Sequence, residues 1–178
     1  MYLSKVTLKN IRGFEELDFD LSRPDGTHAG WTVFTGDNGS GKSTLLKAIA
    51  IGLTGKDTAR ALQPSFHRWI RDGAGDKGAS IELGVVRCES DDGLAEGGRS
   101  PAADFPLKVD LKNGGRETTL HVATPPKKPA NYSTPDRTLW APGANGWFSC
   151  GYGPFRRVFG ASPEAMRSMV GPSTERYV

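Results

Sequence analysis

The stretch GDNGSGKST, residues 36–44, decides the fold of this chain. Gly36, Gly41, Lys42 and Ser43 complete the pattern G-x-x-x-x-G-K-[ST]. Such a loop wraps its backbone N–H groups around phosphates at a helix N-terminus, where unpaired amides and the helix dipole favour an anion. Lys42 is predicted to reach the terminal phosphates of ATP, and the Ser43 hydroxyl to join the shell of a Mg²⁺ ion. The alternative is a glycine turn that binds nothing.

The residues on either side supply the context that this pattern requires. The apolar run 31–34 before the loop is predicted to be a buried central strand. After the loop, apolar residues recur at helical spacing and Gly55 is placed to cap the helix, with a second helix expected over residues 58–70. Strand, glycine loop and helix in this order predict an α/β fold of the P-loop NTPase class.

The remaining elements are predicted to be extended. Alternating apolar and polar residues indicate two strands joined by a turn over residues 10–14, with Arg12 at its tip. Three more alternating stretches follow, and Asn113-Gly114 between the last two favours a hairpin. The prediction is therefore a mixed sheet with an antiparallel β-hairpin subdomain. The three stretches are residues 81–85, 105–111 and 118–122.

Composition limits the class of protein. A chain of 178 residues suffices for one core, so residues 1–178 are predicted to form a single lobe. The net charge of +3 permits contact with nucleic acid without requiring it. The cysteines and histidines have no metal-binding spacing, and we find neither a secretory leader nor a membrane-spanning stretch. We expect a cytoplasmic protein with no membrane association.

Two stretches, residues 89–104 and 123–146, are predicted to be flexible loops that add nothing to a packed core. In the first, the sequence LAEGGRS has the paired glycines of an ATPase signature motif, but Pro101 leads straight into a strand instead of a helix. We interpret it as a decoy. Residues 147–152 are typical of one more buried strand, and a helix is expected to begin at residues 162–164.

The sequence LKNIRGF, residues 8–14, together with the residues of the loop, resembles the N-terminal part of ABC-type ATPases of the SMC/RecF group. That group includes double-strand-break repair ATPases, OLD-type nucleases and ATPases of anti-phage systems such as Septu and certain retrons. The close match covers roughly the first third of the chain. The residues predicted to bind nucleotide are Gly36, Asn38, Gly39, Ser40, Gly41, Lys42, Ser43, Thr44 and Arg12, with Lys42 also as catalytic residue and Ser43 as metal ligand.

The resemblance implies a homodimer in the full-length protein, with ATP held between one subunit's phosphate loop and the other's signature motif. An arginine matching Arg12 lies near the nucleotide in several members, although a solvated turn residue is the alternative. Arg156 and Arg157 follow the strand predicted at 147–152, and either contact phosphate at the mouth of the sheet or are surface arginines. The loop glutamine usual in ABC-type proteins is absent from residues 147–178.

A second departure concerns hydrolysis. This class needs an apolar strand that ends in an Asp for magnesium and a Glu that orients water. No run of four apolar residues followed by Asp-Glu occurs in the sequence. We therefore expect an incomplete ATPase fold, the N-terminal portion of a longer protein, that binds ATP but is inactive or very slow alone.

Three functions compete. The first is the ATP-binding lobe of a cytosolic DNA-repair or anti-phage ATPase, which dimerises on ATP and passes that closure to DNA and to a nuclease or effector partner. The second is the nucleotide-binding subunit of an ABC transporter, which usually carries an early aromatic residue for adenine, whereas this chain has Arg12 and Phe14 in a turn. The third, a small-molecule kinase, needs a lid with clustered arginines that the middle of the chain does not clearly offer.

Overall fold

One antiparallel sheet covered by one long helix makes up most of the described chain. The computed structural model describes residues 1–28, 30–63, 65–88, 92, 104–115, 117–125, 134–141 and 144. One-turn 3₁₀ helices stand at Gly75–Lys77 and Pro135–Arg137. The strands and helix are β1 (Tyr2–Ile11), β2 (Phe14–Asp20), α1 (Lys42–Leu62), β3 (Ala79–Val86), β4 (Asp104–Asn113) and β5 (Thr118–Val122).

The strand order is β2-β1-β3-β4-β5, and each neighbouring pair is antiparallel. The predicted hairpin turn with Arg12 at its tip is confirmed between β1 and β2. The hairpin at Asn113-Gly114 is also confirmed, since the Gly114 amide donates to the Glu117 carbonyl at 2.8 Å. The α/β class is confirmed by the sheet together with α1. Where a mixed sheet was predicted, the sheet of the described residues is antiparallel throughout.

The core lies between α1 and the inner face of the sheet. Period-two alternation places one apolar set of each strand on this face, and α1 buries Leu45, Ala48 and Ile51 against it. Gly52 comes so close that a Cβ there would lie 2.5 Å from Leu83. The buried strand residues of this core are Val6, Leu8, Ile11, Ala79, Ile81, Leu83, Val85, Leu107, Val109, Leu111 and Leu120.

The outer face of the sheet, opposite α1, is charged. Lys5 and Asp18 form a cross-strand ion pair of 2.9 Å, and Lys9 and Glu16 form another of 2.9 Å. The hydrogen bond from Lys5 lowers the pKa of the Asp18 carboxyl. Because these pairs are largely solvated, they contribute little to folding, and this face remains a polar surface.

The apolar run 31–34 is not a strand, so that prediction was wrong. Trp31 is 91% exposed and Val33 is 76% exposed. A strand needs a hydrogen-bonded neighbour, and no strand of the described chain pairs with this run. Only Phe34 is partly buried, with its ring 5.6 Å from the ring of Phe19. Apolar composition alone therefore did not produce burial here.

The prediction of two helices is partly right. Gly55 has a left-handed φ of 79° and breaks the helical geometry inside α1, as expected of a cap. The helix resumes and ends at Leu62, because Gln63 precedes Pro64 and takes an extended conformation. The expected helix is thus wrong beyond residue 62, and Ile70 instead forms a bridge to Ile11 on β1.

Part of the loop predicted at 123–146 belongs to the core. Leu139 is 3% exposed within the main apolar cluster. The Trp140 indole N–H donates to the Leu53 carbonyl at 2.9 Å, and its ring packs on Gly55. The prediction that this stretch adds nothing to the core is therefore wrong for residues 134–141.

Several predictions fall outside the described residues. They are the parts of the two loops other than residues 92, 104, 123–125, 134–141 and 144, the decoy motif, the strand at 147–152, Arg156, Arg157 and the helix start at 162–164. Among the helices that the structure does describe, none has the length and apolar character needed to cross a membrane.

Candidate nucleotide-binding site

The loop of residues 36–44 enters α1 through a series of left-handed glycines. Gly36, Gly39 and Gly41 have φ values of 147°, 87° and 92°. Side-chain-bearing residues rarely adopt this region, so the backbone itself requires glycine at these positions. The Ser40 amide closes a tight turn by donating to the Asp37 carbonyl at 3.2 Å. The result is an exposed bend that leads directly into the helix.

The ring of Phe14, at the start of β2, packs against this bend at Gly41. A Cβ added to Gly41 would lie only 2.4 Å from the Cζ atom of the Phe14 ring. Two constraints therefore require glycine at position 41: its φ angle and the closeness of the Phe14 ring. Sequence reasoning did not assign Phe14 to the site, although it is the last residue of the LKNIRGF stretch.

Lys42 places its ammonium group inside the bend. Its Nζ donates to the Gly36 carbonyl at 2.6 Å and the Asp37 carbonyl at 2.7 Å, with the Ser40 hydroxyl at 3.4 Å. These partners match the three donors of an ammonium group. Neutral acceptors hold the lysine in place, and no carboxylate of the described residues pairs with it. Its positive charge is thus uncompensated at the centre of the loop.

The N-terminus of α1 lacks the usual protein caps. Gly41 stands at the N-cap position without a side-chain hydrogen bond, and the first turn contains no acidic residue. The first amides of a helix have no partner within it, and an anion is one of the groups that can satisfy them. Ser43 is exposed in this turn and Thr44 is partly buried. The arrangement suits a phosphate group.

The oxygen atoms of this loop also suit a Mg²⁺ ion that arrives bound to a nucleotide. The described residues contain no cluster of three or more His, Cys, Asp or Glu side chains able to hold a metal. Mg²⁺ commonly relies on substrate phosphates, waters and one or two protein oxygens. The Ser43 hydroxyl, next to Lys42, is the oxygen predicted for that role. Its part in binding Mg²⁺ stays a prediction.

Arg12 is held in a defined position beside this site. Its φ is 49°, its amide donates to the Trp69 carbonyl at 2.9 Å, and its guanidinium lies 4.8 Å from the centre of the Trp69 ring. That distance is within the range of a cation–π contact. The Arg71 amide fixes the same turn by donating to the Asn10 carbonyl at 2.8 Å. Sequence reasoning missed Trp69, which lies where a helix was expected over residues 58–70, and Arg71, which directly follows that stretch.

The loop of residues 36–44 and the turn that carries Arg12 therefore lie at the same end of the β1–β2 hairpin. Phe14 connects them, since it follows Arg12 by two residues and lies under Gly41. The predicted nucleotide-binding residues of the loop and of the first turn of α1 lie together in the structure. Arg12, the remaining predicted residue, packs on the Trp69 ring instead. Whether Arg12 turns toward a nucleotide stays a prediction.

A protein-family model described as an AAA domain matches residues 5–120, which include the hairpin, the loop and α1. The chain belongs to this family. This AAA domain is 33% identical over 123 residues to the DNA replication and repair protein RecF of Mesorhizobium japonicum, covering 69% of this chain. It is 30% identical over 83 residues to the Septu protein PtuA of Bacillus mycoides, covering 46% of the chain. It is 38% identical over 84 residues to the DNA double-strand break repair Rad50 ATPase of Methanosarcina mazei, covering 47%.

These relatives confirm the resemblance to the SMC/RecF group. This AAA domain spans 27% of the RecF protein, 12% of PtuA and 7% of the Rad50 ATPase. A solved structure from work on ATP-driven dimerization and DNA-stimulated activation of SMC ATPases aligns with a TM-score of 0.47 and 21% identity, covering 70% of this chain and 73% of that one. The family membership rests on the family model and the relatives in sequence.

Proposed function

We propose that this AAA domain is the ATP-binding lobe of a cytoplasmic SMC/RecF-like ATPase that acts on DNA, in repair or in anti-phage defence. The observation that carries the proposal is the position of Lys42. Its ammonium lies within a bend of left-handed glycines, at an uncapped helix N-terminus. A positive charge, open amides and a glycine backbone without side chains together bind a triphosphate better than they would serve a purely structural turn.

Binding requires one local exchange. Lys42 gives up its hydrogen bonds to the Gly36 and Asp37 carbonyls and donates to phosphate oxygens instead. The exchange is favourable because the phosphate oxygens carry full negative charge, whereas the carbonyl oxygens that they replace carry only a partial charge. The amides at the start of α1 donate to the same phosphates, and Ser43 joins the shell of the Mg²⁺ ion. Mg²⁺ supplies neutralisation of the phosphate charge when it is bound.

We attribute ATP hydrolysis and ATP-driven homodimerisation to the full-length protein. The chain spans about a quarter of the RecF relative, and its sequence has no apolar strand that ends in Asp-Glu. Both observations favour slow or absent turnover by this chain alone. A nuclease or effector partner belongs to the same proposal.

DNA is the favoured partner because of what the relatives are named for. Two are named for DNA replication and repair and for double-strand break repair, and another, from Methanocaldococcus jannaschii, is a chromosome partition protein. The Septu relative favours the defence alternative. The transporter alternative has less support, since the hairpin turn presents Arg12 docked on Trp69.

Calorimetry with ATP and Mg²⁺ tests the proposal. We expect heat of binding from the wild type and none from Lys42→Ala. Lys47→Ala is the matched control, because Lys47 is an exposed lysine on the same helix, outside the loop. Equal ATP affinity in the wild type and Lys42→Ala, with both proteins folded, would remove the basis of the proposal.

A further inference from the structure

A buried tryptophan lies against the arginine of the hairpin turn. Trp69 is 0% exposed and belongs to the main apolar cluster, whereas Arg12 is exposed. The Arg12 guanidinium carbon lies 4.8 Å from the centre of the Trp69 ring, within the range of a cation–π contact. This contact joins a residue of the core to the charged turn beside the phosphate loop.

Packing alone does not explain a tryptophan at position 69. Its indole N–H is buried and has no hydrogen-bond partner among the described residues. A buried donor without a partner destabilises a fold, so phenylalanine would supply an apolar ring here without that cost. What tryptophan adds over phenylalanine is a larger aromatic face and the most favourable ring for a cation. The residue type at position 69 therefore favours a role in holding Arg12.

The backbone of the turn is fixed by the same segment. Arg12 has a φ of 49° and Asn10 a φ of 53°, in the left-handed region that residues other than glycine seldom adopt. The Arg12 amide donates to the Trp69 carbonyl at 2.9 Å, and the Arg71 amide donates to the Asn10 carbonyl at 2.8 Å. Strained backbone of this kind persists only where its surroundings hold it, and it is concentrated at functional sites. Trp69 thus holds both the backbone and the side chain of Arg12.

The hydrogen-bonding edge of Arg12 stays open in this arrangement. A ring that stacks on a guanidinium covers its flat face, while the five N–H donors point outward in the plane of the group. Within the described ranges, the Arg12 side chain makes neither a hydrogen bond nor an ion pair. Planar donors held in one place are suited to the oxygens of a phosphate group.

We propose that Trp69 is a positioning residue for nucleotide binding: its ring pre-organises Arg12, so that the guanidinium donates to a phosphate of the nucleotide bound by the loop of residues 36–44. The inference rests on the proposed function and on the predicted contact of Arg12 with the nucleotide. An arginine that is already held loses less side-chain freedom when the ligand binds, so the affinity rises without a new contact. Trp69 itself, being buried, acts only through Arg12.

Calorimetry with ATP and Mg²⁺ tests this role in Trp69→Leu, which removes the aromatic face. The ATP affinity should fall roughly fivefold, which corresponds to the cost of ordering one long side chain. Trp69→Phe keeps a weaker ring and should lose roughly twofold. Phe66→Leu removes another buried ring of the same cluster, 5.6 Å from the Trp69 ring, but leaves the Trp69 face to Arg12. Its ATP affinity should equal that of the wild type.

A double-mutant cycle separates positioning from a general loss of packing. In the presence of Arg12→Gln, which removes the cation, Trp69→Leu should cause no further loss of ATP affinity, whereas a packing defect would lower the affinity in both backgrounds. If Trp69→Leu does not fold, Trp69→Phe is used in the same cycle. NMR gives a readout without ATP. The ring current of Trp69 should shift the Arg12 Nε–H signal upfield in the wild type and in Phe66→Leu, but not in Trp69→Leu.

Four results would overturn the assignment. They are an unchanged or higher ATP affinity in folded Trp69→Leu, an equal loss in Phe66→Leu, additive losses with Arg12→Gln, and an unshifted Arg12 signal in the wild type. If the wild type still binds ATP and Lys42→Ala does not, these results leave the proposed function intact. Absence of ATP binding by the wild type would instead overturn the proposed function, and this inference with it.

Discussion

Replacing Gly41 by alanine tests how the phosphate loop is built. The φ of 92° at this position is in the left-handed region, where an alanine costs about 1–2 kcal/mol. The added Cβ would also lie 2.4 Å from the Phe14 ring, so the ring or the loop must move. Overpacking of this kind typically costs about 1–3 kcal/mol. The expected loss for Gly41→Ala is therefore about 2–5 kcal/mol in the free energy of unfolding.

Gly39 offers a matched control in the same loop. Its φ is 87°, but a Cβ there would meet nothing within 4 Å. Gly39→Ala should therefore cost only the backbone share, about 1–2 kcal/mol. Urea unfolding of both variants gives the difference, which measures the contact with Phe14 alone.

A double-mutant cycle completes this test. Phe14→Leu shortens the ring side chain, so in its presence Gly41→Ala should lose about 1–3 kcal/mol less than in the wild type. Calorimetry with ATP on the same proteins should show a lower ATP affinity for Gly41→Ala than for the wild type. Adding Phe14→Leu to Gly41→Ala should restore part of that affinity. Equal costs for Gly41→Ala and Gly39→Ala, together with zero coupling to Phe14, would refute the reasoning.

Two further perturbations test the core and the outer face. Trp140→Phe removes the indole donor of the Leu53 carbonyl and should cost about 1 kcal/mol in urea unfolding. Trp31→Phe, at a residue 91% exposed, should change stability by less than about 0.5 kcal/mol, and an equal loss in both would contradict the role of that bond. For Asp18, whose pKa is lowered by Lys5, the stabilisation is present above the carboxyl's unfolded pKa and is lost as pH falls through the lowered folded pKa. Asp18→Asn should therefore reduce the loss in the free energy of unfolding at acid pH. An unchanged loss would count against the ion pair.

The sequence was sufficient for features that depend on neighbouring residues. The glycine spacing and Lys42 indicated the phosphate loop, because its backbone angles and its charge are fixed within nine residues, 36–44. Alternation and turn residues predicted both hairpins, since side-chain period and turn chemistry are local. The resemblance carried by LKNIRGF predicted the family that the comparisons confirmed.

The tertiary structure decided the features that need a distant partner. Residues 31–34 are apolar, but no strand of the described chain pairs with them and they stay mostly exposed. Trp140, from a stretch predicted to be a loop, packs against the kink of α1 at Gly55. The ring of Phe14 against Gly41 joins the hairpin to the phosphate loop. The pocket lined by Lys9, Lys77, Lys108 and Lys112 gathers residues from β1, β4 and the turn before β3. Burial and charge clustering depend on which segments meet in space. Sequence order therefore determined the loop and the hairpins, and long-range packing determined what surrounds them.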